Sequence, residues 1–187
     1  MGNYQAVFIT GAPAAGKSTL IQQLAQLVAP LKIMEYGDRL LDYLRREHPA
    51  LTRDELRARS AELVNASAIA NLDDALADDL PAWLATTHVA IGSHAVTHER
   101  YGVRVTAYAQ RVLERLPLAA IVVLQASPQE LLRRVGDAPE GRRWRTVEEA
   151  DRLQRLQTDL ALQYGIICQT SPHDAGSPDL LMIEGPG

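Results

Sequence analysis

The run GAPAAGKS from Gly11 to Ser18, with Thr19 behind it, restricts this chain more than any other feature. It fits G-x-x-x-x-G-K-[ST]. A short apolar run, Ala6 to Ile9, precedes it, and Leu20, Ile21, Leu24, Leu27 and Val28 follow at helical spacing. Strand, glycine-bounded loop and helix is the arrangement in which such a loop cradles phosphate groups. Gly11 and Gly16 let the backbone wrap closely, and the loop that carries Pro13, Ala14 and Ala15 points successive N–H groups inward, Pro13 itself having none to give. The helix then offers its positive end to the anion. Lys17 is placed to contact the outer phosphates of ATP or a similar triphosphate. The Ser18 hydroxyl is placed to hold Mg²⁺, whose other ligands would be phosphate oxygens and water.

A chain that opens this way has to build a parallel sheet, and the rest of the sequence alternates accordingly. Leu31 to Tyr36, His88 to Ser93, Ala119 to Leu124 and Leu180 to Ile183 are short apolar runs that predict four further strands. Between them, Leu40 to Leu44 suggests a short helix, and Thr52 with Glu55 makes a capping box for a long helix or helix pair reaching Pro81. Val105 to Leu116 is predicted as a helix ended by Pro117. Ser127, Pro128 and Glu130 begin another that reaches about Val135, and Thr146 with Glu149 caps a last long one. The expectation is a single domain over 1–187 with a three-layer α/β/α P-loop NTPase fold and a five-stranded parallel sheet. A helical acceptor-binding region at about 38–81 and a short Arg-bearing lid at about 136–145 are inserted into it. Thr170 to Asp179, rich in Ser, Pro, Gly and Asp, is predicted as an exposed loop.

Composition excludes several functions. The formal net charge is -4 over 187 residues, without a dense Lys/Arg run, which argues against nucleic acid as a partner. The single cysteine, Cys168, allows neither an intrachain disulfide nor a CxxC metal site. The first ten residues lack a basic leader, and no stretch is apolar for long enough to span a bilayer, so a cytoplasmic protein with no membrane association is expected. His94 and His98 lie four apart but follow a predicted strand, so a zinc site is not expected there.

The P-loop TGAPAAGKST is one of several segments that resemble the archaeal-type adenylate kinases, short nucleoside monophosphate kinases with P-loop folds. The others are Glu35-Tyr36-Gly37-Asp38 after the second strand, Ser93-His94 after the third, the run Leu132 to Asp137, and Tyr164-Gly165. The resemblance implies transfer of the ATP γ-phosphoryl group to AMP or another nucleoside monophosphate, with Mg²⁺ as cofactor. It also implies that Arg134, Arg142 and Arg143 close on the triphosphate, where planar guanidinium groups suit the charge on the transferred group. The acceptor would lie near Asp38, Arg39, His94, Arg100 and Arg104. A helix cap at Asp38 and surface ion pairs at the arginines are the structural alternatives. Homo-oligomers are known in such families, and self-association is carried over as an expectation.

Three departures from the family pattern matter. Gly92 stands where the third strand of the family ends in an Asp that helps hold the Mg²⁺ shell; Asp38 is then the expected substitute, so Ser18 and Asp38 are the candidate metal ligands. Glu140 stands where the family tends to carry Arg, and no last helix follows the fifth strand, which leaves the adenine contacts without counterparts. The last two bear on the acceptor rather than on triphosphate binding. Two other functions stay open: a kinase acting on a small hydroxyl compound, with Asp38 as base, and a nucleotide-binding regulator or slow ATPase that has lost transfer along with the strand-end carboxylate.

Overall fold

The computed structural model describes residues 4–99, 102–137, 146–169 and 178–184. Five strands form one parallel sheet: β1 (Ala6–Gly11), β2 (Leu31–Glu35), β3 (His88–Gly92), β6 (Leu118–Gln125) and β7 (Asp179–Glu184), in the order β2-β3-β1-β6-β7. A separate antiparallel pair, β4 (Val96–Glu99) and β5 (Gly102–Val105), lies between β3 and β6 in sequence. The helices are α1 (Lys17–Leu27), α2 (Tyr36–Leu44), α3 (Arg53–Leu63), α4 (Ala66–Leu84), α5 (Gln110–Leu113), α6 (Pro128–Asp137) and α7 (Val147–Gln169). No helix among the described residues is long and apolar enough to cross a membrane.

Alternate residues of the three central strands feed two cores, as side chains on a pleated strand must. Phe8, Ile91 and Ile121 pack with Leu76 and Leu80 of α4 and Tyr164 of α7. Ile9, Ala90 and Val122 pack with Ile21 of α1, Leu131 of α6 and Leu153 of α7. Burial on both faces explains why these strands read as continuous apolar runs rather than as alternations. A third, smaller cluster of Leu41, Leu44, Leu51, Leu56 and Val64 holds α2 against α3. At the sheet edge β7 exposes Leu181 and Met182.

The helix starts follow the predicted chemistry. Glu55 N donates to Thr52 Oγ1 at 3.2 Å while Thr52 N donates to Glu55 Oε2 at 2.9 Å, a complete capping box. Ser127 and Thr146 likewise accept from Glu130 N and Glu149 N. Asn65 accepts from Ala68 N at 2.8 Å, which divides the long helical stretch into α3 and α4.

Two expectations need correction. Pro81 does not end α4, which continues to Leu84; Leu80 and the partly buried Leu84 pack on the core on either side of it, and a proline this late in the helix forgoes only one backbone hydrogen bond. The stretch from Val105 to Leu116 is not one helix. Val103 and Val105 belong to β5, Gly102 takes φ +127° at its start, and only Gln110–Leu113 is helical. Two structural anchors hold this hairpin. Gln157 of α7, 1% exposed, accepts from both Ala95 N at 3.0 Å and Val96 N at 3.2 Å. Arg104 donates to Ser60 O at 3.3 Å and Val64 O at 2.9 Å, satisfying carbonyls at the C-terminal end of α3. Its guanidinium, expected from the sequence near the acceptor, is engaged here as a helix cap.

Because Gln157 supplies the acceptor for two buried amides, Gln157→Leu should lower unfolding free energy by about 1–3 kcal/mol. Denaturant melts of the two proteins check this, and equal midpoints would show that the hairpin is held elsewhere.

Candidate functional site

The loop after β1 is bounded by two positions that only glycine occupies easily, Gly11, where a Cβ would come within 2.5 Å of Leu124 O, and Gly16. Gly16 sits at φ +101° as the N-cap of α1 and provides no side chain to cap it, so the first amides of the helix remain available to an anion. Ala14 also has positive φ, +68°, an uncommon conformation for a residue with a Cβ. Lys17 Nζ folds back to Gly11 O at 3.4 Å, across the space that the loop encloses. Ser18 and Thr19 are exposed.

Helix α6 delivers Arg134 to this loop. Arg134 Nη1 donates to Ala14 O at 3.1 Å and its Nε to Glu130 Oε1 at 2.6 Å. Glu130 also accepts from Arg133, at 2.6 and 2.8 Å. Those hydrogen bonds, from Arg133 first and Arg134 second, push the Glu130 carboxyl down to about 2, so it stays ionised and keeps both guanidinium groups oriented. Of the other expected lid residues, Arg142 and Arg143 lie outside the described residues, as does Glu140. The predicted loop at 170–179 also lies outside them up to residue 177.

The end of β3 explains the missing Asp. In the β2–β3 pairing Glu35 stands opposite Gly92. A Cβ placed on Gly92 would come within 2.5 Å of Glu35 Oε2 and 2.8 Å of Ile21 Cδ1. The space that a strand-end side chain would fill is thus taken by a carboxylate from the neighbouring strand. Ile21, which borders the same point, lies one turn beyond Ser18. A hydroxyl and a carboxylate are hard oxygen donors of the kind Mg²⁺ takes, so the residues present fit that ion.

Asp38 is placed differently from expectation. Its carboxylate pairs with Arg53 at the start of α3, beside an open cavity of about 430 Å³ also lined by Leu41, Asp42, Arg45 and Thr52. Glu35, and not Asp38, is the acidic group set against Gly92. The sequence carried one signal for this: Glu35 lies within the second apolar run, Leu31 to Tyr36, and so on the strand side of Gly37.

On the acceptor side, Arg39 donates to Asp79 Oδ2 at 2.6 Å and lies 5.6 Å from the Trp83 ring centre. His94 is exposed just after β3, and Arg100 lies outside the described residues. One further buried group was not singled out in the sequence. Asp73 of α4 is 3% exposed and accepts from the Tyr36 hydroxyl at 2.6 Å. Burial pushes its carboxyl up to about 6, against the smaller opposing effect of that hydrogen bond. Burial likewise raises the Tyr36 and Tyr108 hydroxyls, and takes Tyr164 to about 12. Tyr164 Oη accepts from Tyr108 N at 3.1 Å.

A family model described as an AAA domain matches residues 10–151. Among solved structures, shikimate kinase from Acinetobacter baumannii, in complex with shikimate, is similar at 14% identity with a TM-score of 0.56, covering 98% of this chain and 85% of that one. A protein from Chloroflexus aurantiacus, provisionally described as a kinase, is similar at 18% identity with a TM-score of 0.51, covering 98% and 89%. These likenesses show the fold: a five-stranded parallel sheet with helices, arranged as in P-loop kinases. No curated protein matches the chain in sequence.

Two substitutions test the geometry. Gly92→Ala should leave the fold largely intact, because the atoms it meets are ends of side chains, but should expel the Glu35 carboxylate from the strand end. Mg²⁺-dependent turnover should then fall about as far as in Glu35→Gln, and a Gly92→Ala protein with full turnover would remove Glu35 from the site. Asp73 holds its proton more tightly in the folded than in the unfolded chain. The stability it contributes is full at low pH and is lost as pH rises through about 6. Asp73→Asn should therefore gain on the wild type by about 2–3 kcal/mol between pH 4 and pH 7, measured by denaturant melts at both pH values.

Proposed function

We propose, since the chain belongs to the AAA domain family, that it transfers the γ-phosphoryl group of ATP to a small-molecule acceptor. The observation that carries this reading is the Glu35 carboxylate over Gly92, beside the helix that leaves the P-loop. A chain with no carboxylate at that point would read as a nucleotide-binding regulator. Glu35 supplies one from the adjacent strand and removes the main ground for that alternative.

Each remaining role rests on a named group. Loop amides and the start of α1 bind the phosphates, and Lys17 moves from Gly11 O to the outer phosphate oxygens. Ser18 and Glu35 would hold Mg²⁺, which when bound offsets the charge shared by the outer phosphates. Arg134, oriented by Glu130, stabilises charge on the transferred group. In a loose phosphoryl-transfer transition state the acceptor proton departs late, so most of the catalysis is positioning and charge stabilisation.

Two acceptor classes remain, a hydroxyl compound and a nucleoside monophosphate. The segments resembling archaeal-type adenylate kinases favour the second. The first is favoured by the state of the described acceptor-side cations: Arg39 is engaged by Asp79, Arg53 by Asp38 and Arg104 by α3 carbonyls. A monophosphate acceptor needs positive charge more than a hydroxyl does.

ADP formation from Mg-ATP should depend on an added acceptor, and Lys17→Ala should lower it about a thousandfold with the fold intact. Arg134→Ala should lower kcat about a hundredfold. Tight ATP binding with no acceptor-dependent ADP across hydroxyl compounds and nucleoside monophosphates would instead establish the regulator.

A further inference from the structure

A buried polar cluster lies on the acceptor side of the strand ends. Tyr36 directly follows Glu35, and Ser93 directly follows Gly92, so both are placed by the same β2–β3 register that sets the proposed metal carboxylate. Asp73 reaches the cluster from α4 and Tyr108 from the segment after β5. The Tyr36 and Tyr108 rings are 5.7 Å apart, edge to face. In open α/β sheets ligands bind in the crevice outside these carboxyl ends of the strands.

The cluster has unused hydrogen-bonding capacity. Asp73, Ser93 and Tyr108 are 3%, 6% and 7% exposed. The Tyr108 hydroxyl has no hydrogen-bond partner among the described residues; the Ser93 hydroxyl is close enough to favour its ionised form but not in hydrogen-bonding geometry. Among the described residues Asp73 receives a single hydrogen bond, from Tyr36, although a carboxylate can accept about four. Arg111 and Arg39 act on the cluster only at a distance. Burying a carboxylate and a phenol this incompletely paired is costly, and native chains keep such groups where a ligand or water completes them.

We propose that Asp73, Tyr36 and Tyr108 form the acceptor subsite and that it receives the hydroxyl groups of an uncharged, polyhydroxylated small molecule. This rests on the phosphoryl-transfer reading above and names its acceptor class. Acceptor hydroxyls donate to the open oxygen of Asp73 and exchange hydrogen bonds with the Tyr108 hydroxyl, satisfying both. A phosphate or carboxylate brought to the same place meets a buried negative charge with no cation in contact among the described residues, so nucleoside monophosphates and hydroxy acids are disfavoured there. A site built on buried hydrogen-bonding groups also discriminates strongly, because a ligand lacking the matching hydroxyl leaves them unpaired.

The test measures ADP formation by the full chain with Mg-ATP and three acceptor sets: myo-inositol, ribitol and glucose; gluconate and shikimate; AMP, CMP and GMP. An uncharged polyol should be turned over. Tyr108→Phe should raise its KM about fivefold to tenfold and Asp73→Asn more, with the KM for ATP within about twofold of wild type. Turnover of only the carboxylates or the monophosphates overturns the proposal. So does an unchanged polyol KM in Tyr108→Phe, the result expected if a structural water satisfies that hydroxyl. If no acceptor yields ADP, the phosphoryl-transfer reading itself fails, and the subsite is then judged by thermal melts with ADP present. A polyol that raises the midpoint of the wild type but not of Tyr108→Phe upholds the subsite; no such polyol overturns it.

Discussion

The hydrogen-bonded ladder of β2, β3, β1 and β6 aligns everything the site uses. Ile9 pairs with Gly92, Gly11 with Leu124, and Glu35 with Gly92. The start of the phosphate loop, the end of β3 and the carboxylate of β2 therefore stand at one level, at the same edge of the sheet. Both faces of the central strands are buried, so a one-residue slip would turn every side chain to the opposite core. That penalty fixes the register and, with it, the placement of Glu35 over Gly92.

Around this edge most of the described arginines tie one element to another. Arg104 closes the end of α3 and Arg53 joins α3 to α2 through Asp38, while Arg39 ties α2 to α4 through Asp79. Arg134 differs, because its partner Glu130 lies on its own helix and its other bond reaches the phosphate loop. An i, i+4 pair orients the guanidinium without drawing it away from the loop. On α4, by contrast, Asp73 is buried with a single hydrogen bond among the described residues, from Tyr36. Burial of that carboxylate costs stability at neutral pH.

Much of this was readable along the chain, because the governing interactions are local. The capping box at Thr52 and the cap at Thr146 involve side chains three residues from their amides, and the strand-loop-helix order around Lys17 needs only its own neighbours. The antiparallel pair of β4 and β5 was not legible because its anchor is the side-chain amide of Gln157, far along the chain. Val105, Val112 and Leu113 share an apolar character that helix and strand use alike, and nothing near them in sequence separates the two.

By itself the sequence determined the phosphate loop, the parallel α/β architecture and a third strand that ends in Gly92 without a carboxylate. Only the tertiary structure decided which carboxylate stands against that glycine. Asp38 and Glu35 are three residues apart and chemically alike, but one begins a helix whose outer face meets Arg53, and the other ends a strand whose register brings it to Gly92. The same holds for Asp73, which reads as one of several acidic residues on a helix until packing buries it against Tyr36. Register and burial are set by contacts across long stretches of chain, and no local pattern encodes them.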